Sequence, residues 1–304
     1  MITEYDFELA YDANSWKRVG DTHPKDLYFG NDDKGRCAIE YTGEFKINKK
    51  ICSSSVIEIN HYKTNSGKKS IIFSLLDNSL LRPFCSFLNT MIDSTIHFSL
   101  SDQEAYLAVC NVYFTMQKMF RSNTDLLSEA EIKGLIGELL FLRDELIPSI
   151  GTSKAIGSWS GAEKTRKDFA LDTEWHEIKT INFGKETVHI SSIEQLDSQI
   201  EGNLVIYQLE KMAEEFDGIK LNNVIESLLS CIPAIHDKDV LLCKLREAKY
   251  SYDKRYDEFV YSLRAIDTYR VDNNFPRIRR SSIPNAIAKA SFDLNIAQII
   301  PFKK

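Results

Sequence analysis

No apolar run in the 304 residues approaches the roughly 20 needed to cross a bilayer, and the opening MITEYDFELAYDANSWKRV has no signal-like apolar core. A soluble, cytoplasmic protein with no membrane partner is the expectation. Cysteine is sparse as well: Cys37, Cys52, Cys85, Cys110, Cys231 and Cys243 form no CxxC pair, and no histidine stands at zinc-like spacing beside them. Reduced thiols in or near the core are the simplest reading, which argues against structural zinc. The chain also lacks a GxxxxGK[ST] loop, a GxGxxG turn and a GxSxG elbow. ATPase, dinucleotide-binding and α/β-hydrolase readings therefore find no support. Positive charge is not in excess: 38 Lys and Arg stand against 44 Asp and Glu, a formal net charge of −6. Composition does not advertise a polyanion partner, although only the charge on a contacting face matters.

What is present suffices for a sizeable core, since 43% of residues are hydrophobic. The segments RCAIEYTGEFKI, SSSVIEINHYK and KKSIIFSLLD are rich in β-branched and aromatic residues and are separated by turn-like NKK and TNSGKK. LLRPFCSFLNTMIDSTI is more helical. Apolar residues at three- and four-residue spacing then predict a helix over 103–120, with Ser101 or Asp102 as its cap. Residues 1–100 read as a β-rich N-terminal domain and 101–304 as a second domain.

The second domain opens on LSEAEIKGLIGELLFLRDEL, where Ser128 and Glu131 form a capping box and the helix should end near Pro148 and Gly151. SKAIGSWSGAEKTR reads as a loop. KDFAL, EWHEIKTI and ETVHIS read as strands, SSIEQLDSQI as a helix capped by Ser191 or Ser192, and NLVIYQLEKM as a buried strand. Two helices interrupted by Pro233 follow, then further strands around a basic FPRIRR loop.

Within TRKDFALDTEWHEIKT, Asp172 and Thr173 supply a turn, so a hairpin would bring Asp168 and Glu177 together. Glu177 and Lys179 flank Ile178, and in a strand they share one face while Ile178 enters the core. Two carboxylates can hold Mg²⁺ against a phosphate oxygen, and a lysine beside them can orient water and stabilise developing charge. Each residue also has a bland reading: Asp168 as a solvated turn residue, Glu177 and Lys179 as the wet face of a half-exposed strand. E-x-K alone occurs by chance in many strands. Glu138 is the acid in the otherwise apolar GLIGELLFL, and Gly134 and Gly137 are costly in a helix interior unless something packs closely there. Arg166, Lys167, Arg277, Arg279 and Arg280 are candidate phosphate contacts, with solvated loop charge as the alternative. Trp159 reads as a loop anchor or a stacking residue. His189 is either packed or turned toward a ligand.

This order of elements resembles the PD-(D/E)XK nuclease superfamily, whose core is a helix, a three-stranded meander, a helix and a further strand. GLIGELLFL, SWSG, KDFAL, HEIKT, VHISSIEQL and FPRIRRSSIPNAIAKASFDLNI resemble more closely the defence-associated PD-(D/E)XK family members of the DUF4420 type, over roughly 130–300. Lys167–Asp168 stands where the superfamily has Pro-Asp. The resemblance implies an α/β (α+β) restriction-endonuclease-like core, a central mixed sheet flanked by helices, behind the β-rich N-terminal domain. It implies metal ligation by Asp168, Glu177 and Glu138, catalysis by Asp168, Glu177, Lys179, Glu138 and Gln195, and Mg²⁺ or Mn²⁺ as cofactor.

The expected function is Mg²⁺-dependent endonucleolytic cleavage of double-stranded DNA, leaving a 5′-phosphate and a 3′-hydroxyl, by a homodimer within a restriction or phage-defence system that includes other defence proteins. The competing expectation is a catalytically inactive accessory protein that binds DNA or scaffolds a defence complex. Convergence of Asp168, Glu177 and Lys179 at one exposed cleft, with Glu138 nearby, separates the two.

Overall fold

The computed structural model describes the chain except residues 9–11, 48–50, 66, 121–125 and 161–166, and the backbone only at 119 and 120. Among the described residues, no helix is long and apolar enough to cross a membrane. All six cysteines are free thiols. The chain divides into two compact units, Met1–Ser122 and Asn123–Lys304.

In the first unit the short helix α1 (Glu4–Glu8) precedes five strands: β1 (Ser15–Arg18), β2 (Asp26–Asn31), β3 (Cys37–Gly43), β4 (Ile57–Lys63) and β5 (Lys69–Leu75). They form one antiparallel sheet in the order β1-β2-β3-β5-β4. β5 (KSIIFSL) is hydrogen-bonded on both edges and buried almost throughout, as its β-branched and aromatic content favours. Phe73 of β5 meets Phe87 of α2 (Leu81–Thr95) and Tyr113 of α3 (Asp102–Met116), with ring centroids 5.7 and 5.5 Å apart. Ser101 caps α3 in a full capping box with Glu104. The Tyr41 hydroxyl of β3 also donates to the Asp102 carbonyl at 2.9 Å. These contacts hold α3 in the first unit, which runs to Ser122.

The second unit starts with α4 (Glu129–Phe141), capped by the Ser128–Glu131 box. The helix loosens into a π turn over Leu142–Leu146, continues as α5 (Ile147–Ile150) and ends at Gly151, whose φ of 82° suits glycine. The start of the stretch expected as a loop, residues 153–158, instead folds within helix α6 (Thr152–Ser158), which buries Ala155 and Ile156, and its end, 161–166, lies outside the described residues. β6 (Phe169–Ala170) and β7 (Trp175–Asn182) form the expected antiparallel hairpin. β7 runs parallel to β9 (Gly202–Met212), which pairs antiparallel with β10 (Val260–Val271), giving a mixed sheet in the order β10-β9-β7-β6.

Two further expectations fail. β8 (Thr187–Ile190) does not extend a meander; it leaves the sheet and pairs with β11 (Phe292–Asn295). Apolar burial explains this, because Val188, Ile190 and Leu294 pack with Trp175, Leu204 and Ile206 as a lid on one sheet face. SSIEQLDSQI is not a helix either: only a single 3-10 turn, Ile193–Gln195, forms, and its Ser192 makes no side-chain cap. Helices α7 (Leu221–Cys231) and α8 (Ile235–Glu247) break at Pro233 as expected, and α9 (Ile296–Ile299) follows β11.

The opposite sheet face packs on α4. An added Cβ at Gly137 would sit 2.1 Å from Thr180 Oγ1 of β7, so only glycine permits this approach. Gly202 plays the same part for the Trp175 ring, which would lie 2.2 Å from a Cβ. Gly134 meets nothing within 4 Å.

Candidate active site

The β6–β7 hairpin works as its sequence suggests: Asp172 and Thr173 are exposed in the turn, and the Leu171 amide donates to the Glu174 carbonyl at 2.9 Å. Asp168, just before β6, is fixed by an amide from the facing strand, with Ile178 N donating to its Oδ2 at 2.7 Å. That bond holds the Asp168 carboxylate beside the E-x-K segment. Ile178 itself is 5% exposed, and strand alternation turns Glu177 and Lys179 together to the other face. Lys179 Nζ lies 2.8 Å from Glu177 Oε1.

Glu177 is the unusual member. It is 1% exposed, and although Lys179 is within ion-pair distance, neither carboxylate oxygen receives a well-directed hydrogen bond among the described residues. Burial, and then the Asp168 charge, push its carboxyl up to about 8, only partly offset by Lys179. Burial likewise raises Asp168 against the pull of Lys179 and the Ile178 amide. Glu138 reaches the same cluster from α4: burial, then the charge of Asp168, hold it well above the usual carboxylate range. Trp159, fully buried after α6, donates its Nε1–H to Glu138 Oε2 at 2.7 Å and so aims that carboxyl. Three acids and a lysine therefore occupy one electrostatic neighbourhood.

The buried Glu177 carboxylate, its oxygens without a directed donor, beside the half-buried Asp168, whose Oδ2 is held by the Ile178 amide, fits a divalent cation, whose charge would offset the cost of ionising both acids. Among the described residues no three His, Cys, Asp or Glu side chains enclose a metal by themselves. Mg²⁺ does not need such a cage, because it keeps several waters and is commonly held by one or two carboxylates.

The remaining expected residues lie elsewhere. Gln195 Oε1 is taken up by the amide and hydroxyl of Ser191, at 2.8 and 3.0 Å, so it closes its own turn. Lys167 Nζ donates to the carbonyls of Glu194, Gln195 and Asp197 and sits 3.8 Å from the Trp175 ring centroid. Arg277 donates to the Leu196 carbonyl at 2.7 Å, and the Arg280 amide to Asp197 Oδ2 at 3.0 Å. Three of the basic residues thus clamp the segment 194–197. The Arg280 guanidinium reaches the Ile287 carbonyl, and Arg279 binds Asn273. His189 pairs with Asp293 across the β8–β11 ladder at 2.8 Å. Arg166 lies outside the described residues. The sequence reading missed Trp159 as the donor that aims Glu138; a tryptophan buried in a polar segment needs an acceptor, and that is the signal.

A mixed sheet with α4 on one face, and a hairpin aligning an aspartate with E-x-K, define a PD-(D/E)XK-like protein. The chain belongs to the family described as "Putative PD-(D/E)XK family member, (DUF4420)", which matches residues 9–297. No curated protein and no solved structure matches it.

Proposed function

We propose that this chain is a divalent-metal-dependent DNA endonuclease, the cutting component of a restriction or phage-defence system. The observation that carries the reading is Glu177: a fully buried acid, its oxygens without directed donors, beside Asp168 and Lys179. Burying such a group is costly, and a structural role would have supplied it with donors.

Asp168 and Glu177 would hold Mg²⁺ or Mn²⁺, with Glu138 facing them from α4. When bound, the ion supplies Lewis-acid polarisation of the phosphate and an acidified water. The chain's own residues do the rest. The Ile178 amide keeps Asp168 in register, Trp159 fixes Glu138, and Lys179 offers a cation to the attacking water and to the charge that builds on the phosphate. Double-stranded DNA is the proposed substrate, with a homodimer for cutting both strands and other defence proteins as partners.

The test is incubation of purified protein with plasmid and modified phage DNA in Mg²⁺, Mn²⁺ or EDTA, beside Lys179→Ala. Metal-dependent cleavage that disappears in the variant is expected. Unchanged cleavage by Lys179→Ala would eliminate this site, and silence on every substrate would favour an inactive DNA-binding or scaffolding role.

A further inference from the structure

The face of β7 turned away from Glu177 carries a second group of buried polar atoms without partners. His176 and Asn203, opposite each other in the β7–β9 ladder, are 8% and 3% exposed. His176 Nε2 and Asn203 Oδ1 have no hydrogen-bond partner among the described residues. Both residues line a pocket of about 300 Å³ whose apolar walls include Phe141, Leu146 and Val205. That is near the lower end of small-molecule sites. Nothing in the carboxylate cluster uses these groups.

Their donor and acceptor roles follow from their neighbours. Glu174 Oε2 can only accept, so the Asn203 atom 3.1 Å from it is the amide NH₂. The same NH₂ is 3.3 Å from His176 Nδ1, which makes Nδ1 the acceptor and places the ring proton on Nε2. The nearest acid to Nε2 is Glu174 Oε2, at 3.9 Å, beyond hydrogen-bond reach. One buried N–H donor and one buried C=O acceptor, on residues paired across the ladder, therefore stand unpaired at the same pocket, with the Phe141 ring 4.9 Å from the His176 ring. Such a pair matches a flat ring system that carries both an acceptor and a donor. Glu145 and Glu174 outnumber Lys304 around the pocket, which disfavours an anionic ligand.

We infer that this pocket binds an uncharged, planar heterocycle of the nucleobase class, read through His176 Nε2–H and Asn203 Oδ1 and packed against Phe141. The inference does not depend on the nuclease reading. The base could be presented by a free nucleoside or by a nucleotide unstacked from DNA, because the edge chemistry is the same.

The experiment is saturation-transfer NMR and calorimetry on the full chain with adenosine, guanosine, cytidine and uridine, beside His176→Phe and Asn203→Leu. At least one nucleoside should bind, shift the His176 imidazole resonances, and bind at least about tenfold more weakly to each variant, as expected when a buried pairing group is lost. The 5′-monophosphate should bind more weakly than its nucleoside. A duplex with one unpaired base, compared with a fully paired one, separates the sources: preference for the unpaired base assigns an extruded nucleotide, and equal binding assigns the free nucleoside. Both variants replace unpaired polar atoms by apolar groups of similar shape and should melt within a few degrees of the parent. The His176 resonances give a readout on the parent protein that is independent of variant folding. No nucleoside binding at millimolar concentration, unshifted His176 resonances, affinity untouched by both variants, or tighter binding of the monophosphate would each overturn the inference.

Discussion

Asp32 of the first unit and Glu177 of the second are both buried acids, 4% and 1% exposed, and they are treated in opposite ways. Asp32 accepts from the Lys34 amide, the Arg36 amide and Arg36 Nε, each within 2.9 Å. Burial alone would raise its pKa, but the Arg36 bonds win and bring it below the ordinary value. Glu177 has a lysine at ion-pair distance but no directed donor, and burial wins. A carboxylate wrapped in donors anchors a turn; one without directed donors beside another acid has room for a counter-charge from outside. The contrast supports the proposed metal role of Glu177 without reference to family.

The largest effect should come from removing the bare acid or its lysine. Lys179→Ala and Glu177→Gln are expected to lower metal-dependent cleavage about 10³-fold, roughly 4 kcal/mol of transition-state stabilisation. In thermal melts of metal-free protein, Glu177→Gln should not destabilise the fold, because it removes a buried acid that lacks donors. Asp32→Ala should do the reverse. It strips a buried, donor-rich pair and should cost on the order of 3 kcal/mol in denaturant unfolding, leaving Lys179-dependent cleavage chemistry intact in the folded fraction. Equal destabilisation by both substitutions would break the comparison.

Titration should show opposite signs. Glu177 has a folded value of about 8 against an ordinary 4.5. Below 4.5 it is protonated in both states; between 4.5 and 8 the unfolded chain releases a proton that the folded chain keeps, so metal-free stability falls as pH rises. Asp32, lowered from 3.8, contributes stability at higher pH that is lost as pH falls through its folded value. Melting temperatures in EDTA from pH 4 to 9 should show a shallower decline in Glu177→Gln than in the parent, with Asp168 and Glu138 supplying the remainder. A parent and variant declining in parallel would mean Glu177 is ionised in the folded state.

Much of this was legible in local sequence. The Ser128–Glu131 box, the turn at Asp172 and Thr173, and the alternation of Glu177, Ile178 and Lys179 are set within a few residues, and the structure realises each. The mixed α/β class came from the order of the expected elements and the family resemblance that order carries. The failures are non-local or marginal. β8 pairs with β11, a register that no window around VHIS contains, and the run 152–158 is too short for periodicity to distinguish helix from loop. Lys167 looked like loop charge because the carbonyls it binds lie at 194–197, and Gln195 looked helical because Ser191 and Ser192 suggested a cap that does not form.

The smallest predicted effects concern the packing of α4, the helix that carries Glu138. Gly134 and Gly137 are spaced three apart in α4 and look alike in sequence, but only Gly137 faces β7. Gly137→Ala places a methyl against Thr180 Oγ1 and Ile178, so α4 must move off the sheet at a cost of about 1–3 kcal/mol. That movement should admit water around Glu138, which α4 carries, bring its carboxyl back toward the ordinary range, and remove its share of the pH dependence just described, while Glu177, on the other face of β7, keeps its own share. Gly134→Ala adds a methyl into open space within a helix and should stabilise by about 0.5–1 kcal/mol, leaving the titration unchanged. Paired melts across the pH series decide the point. If Gly137→Ala loses stability but keeps the parent's pH slope, close packing by α4 holds the fold together without being what buries Glu138, and the raised Glu138 carboxyl must then owe its shift to the neighbouring Asp168 charge.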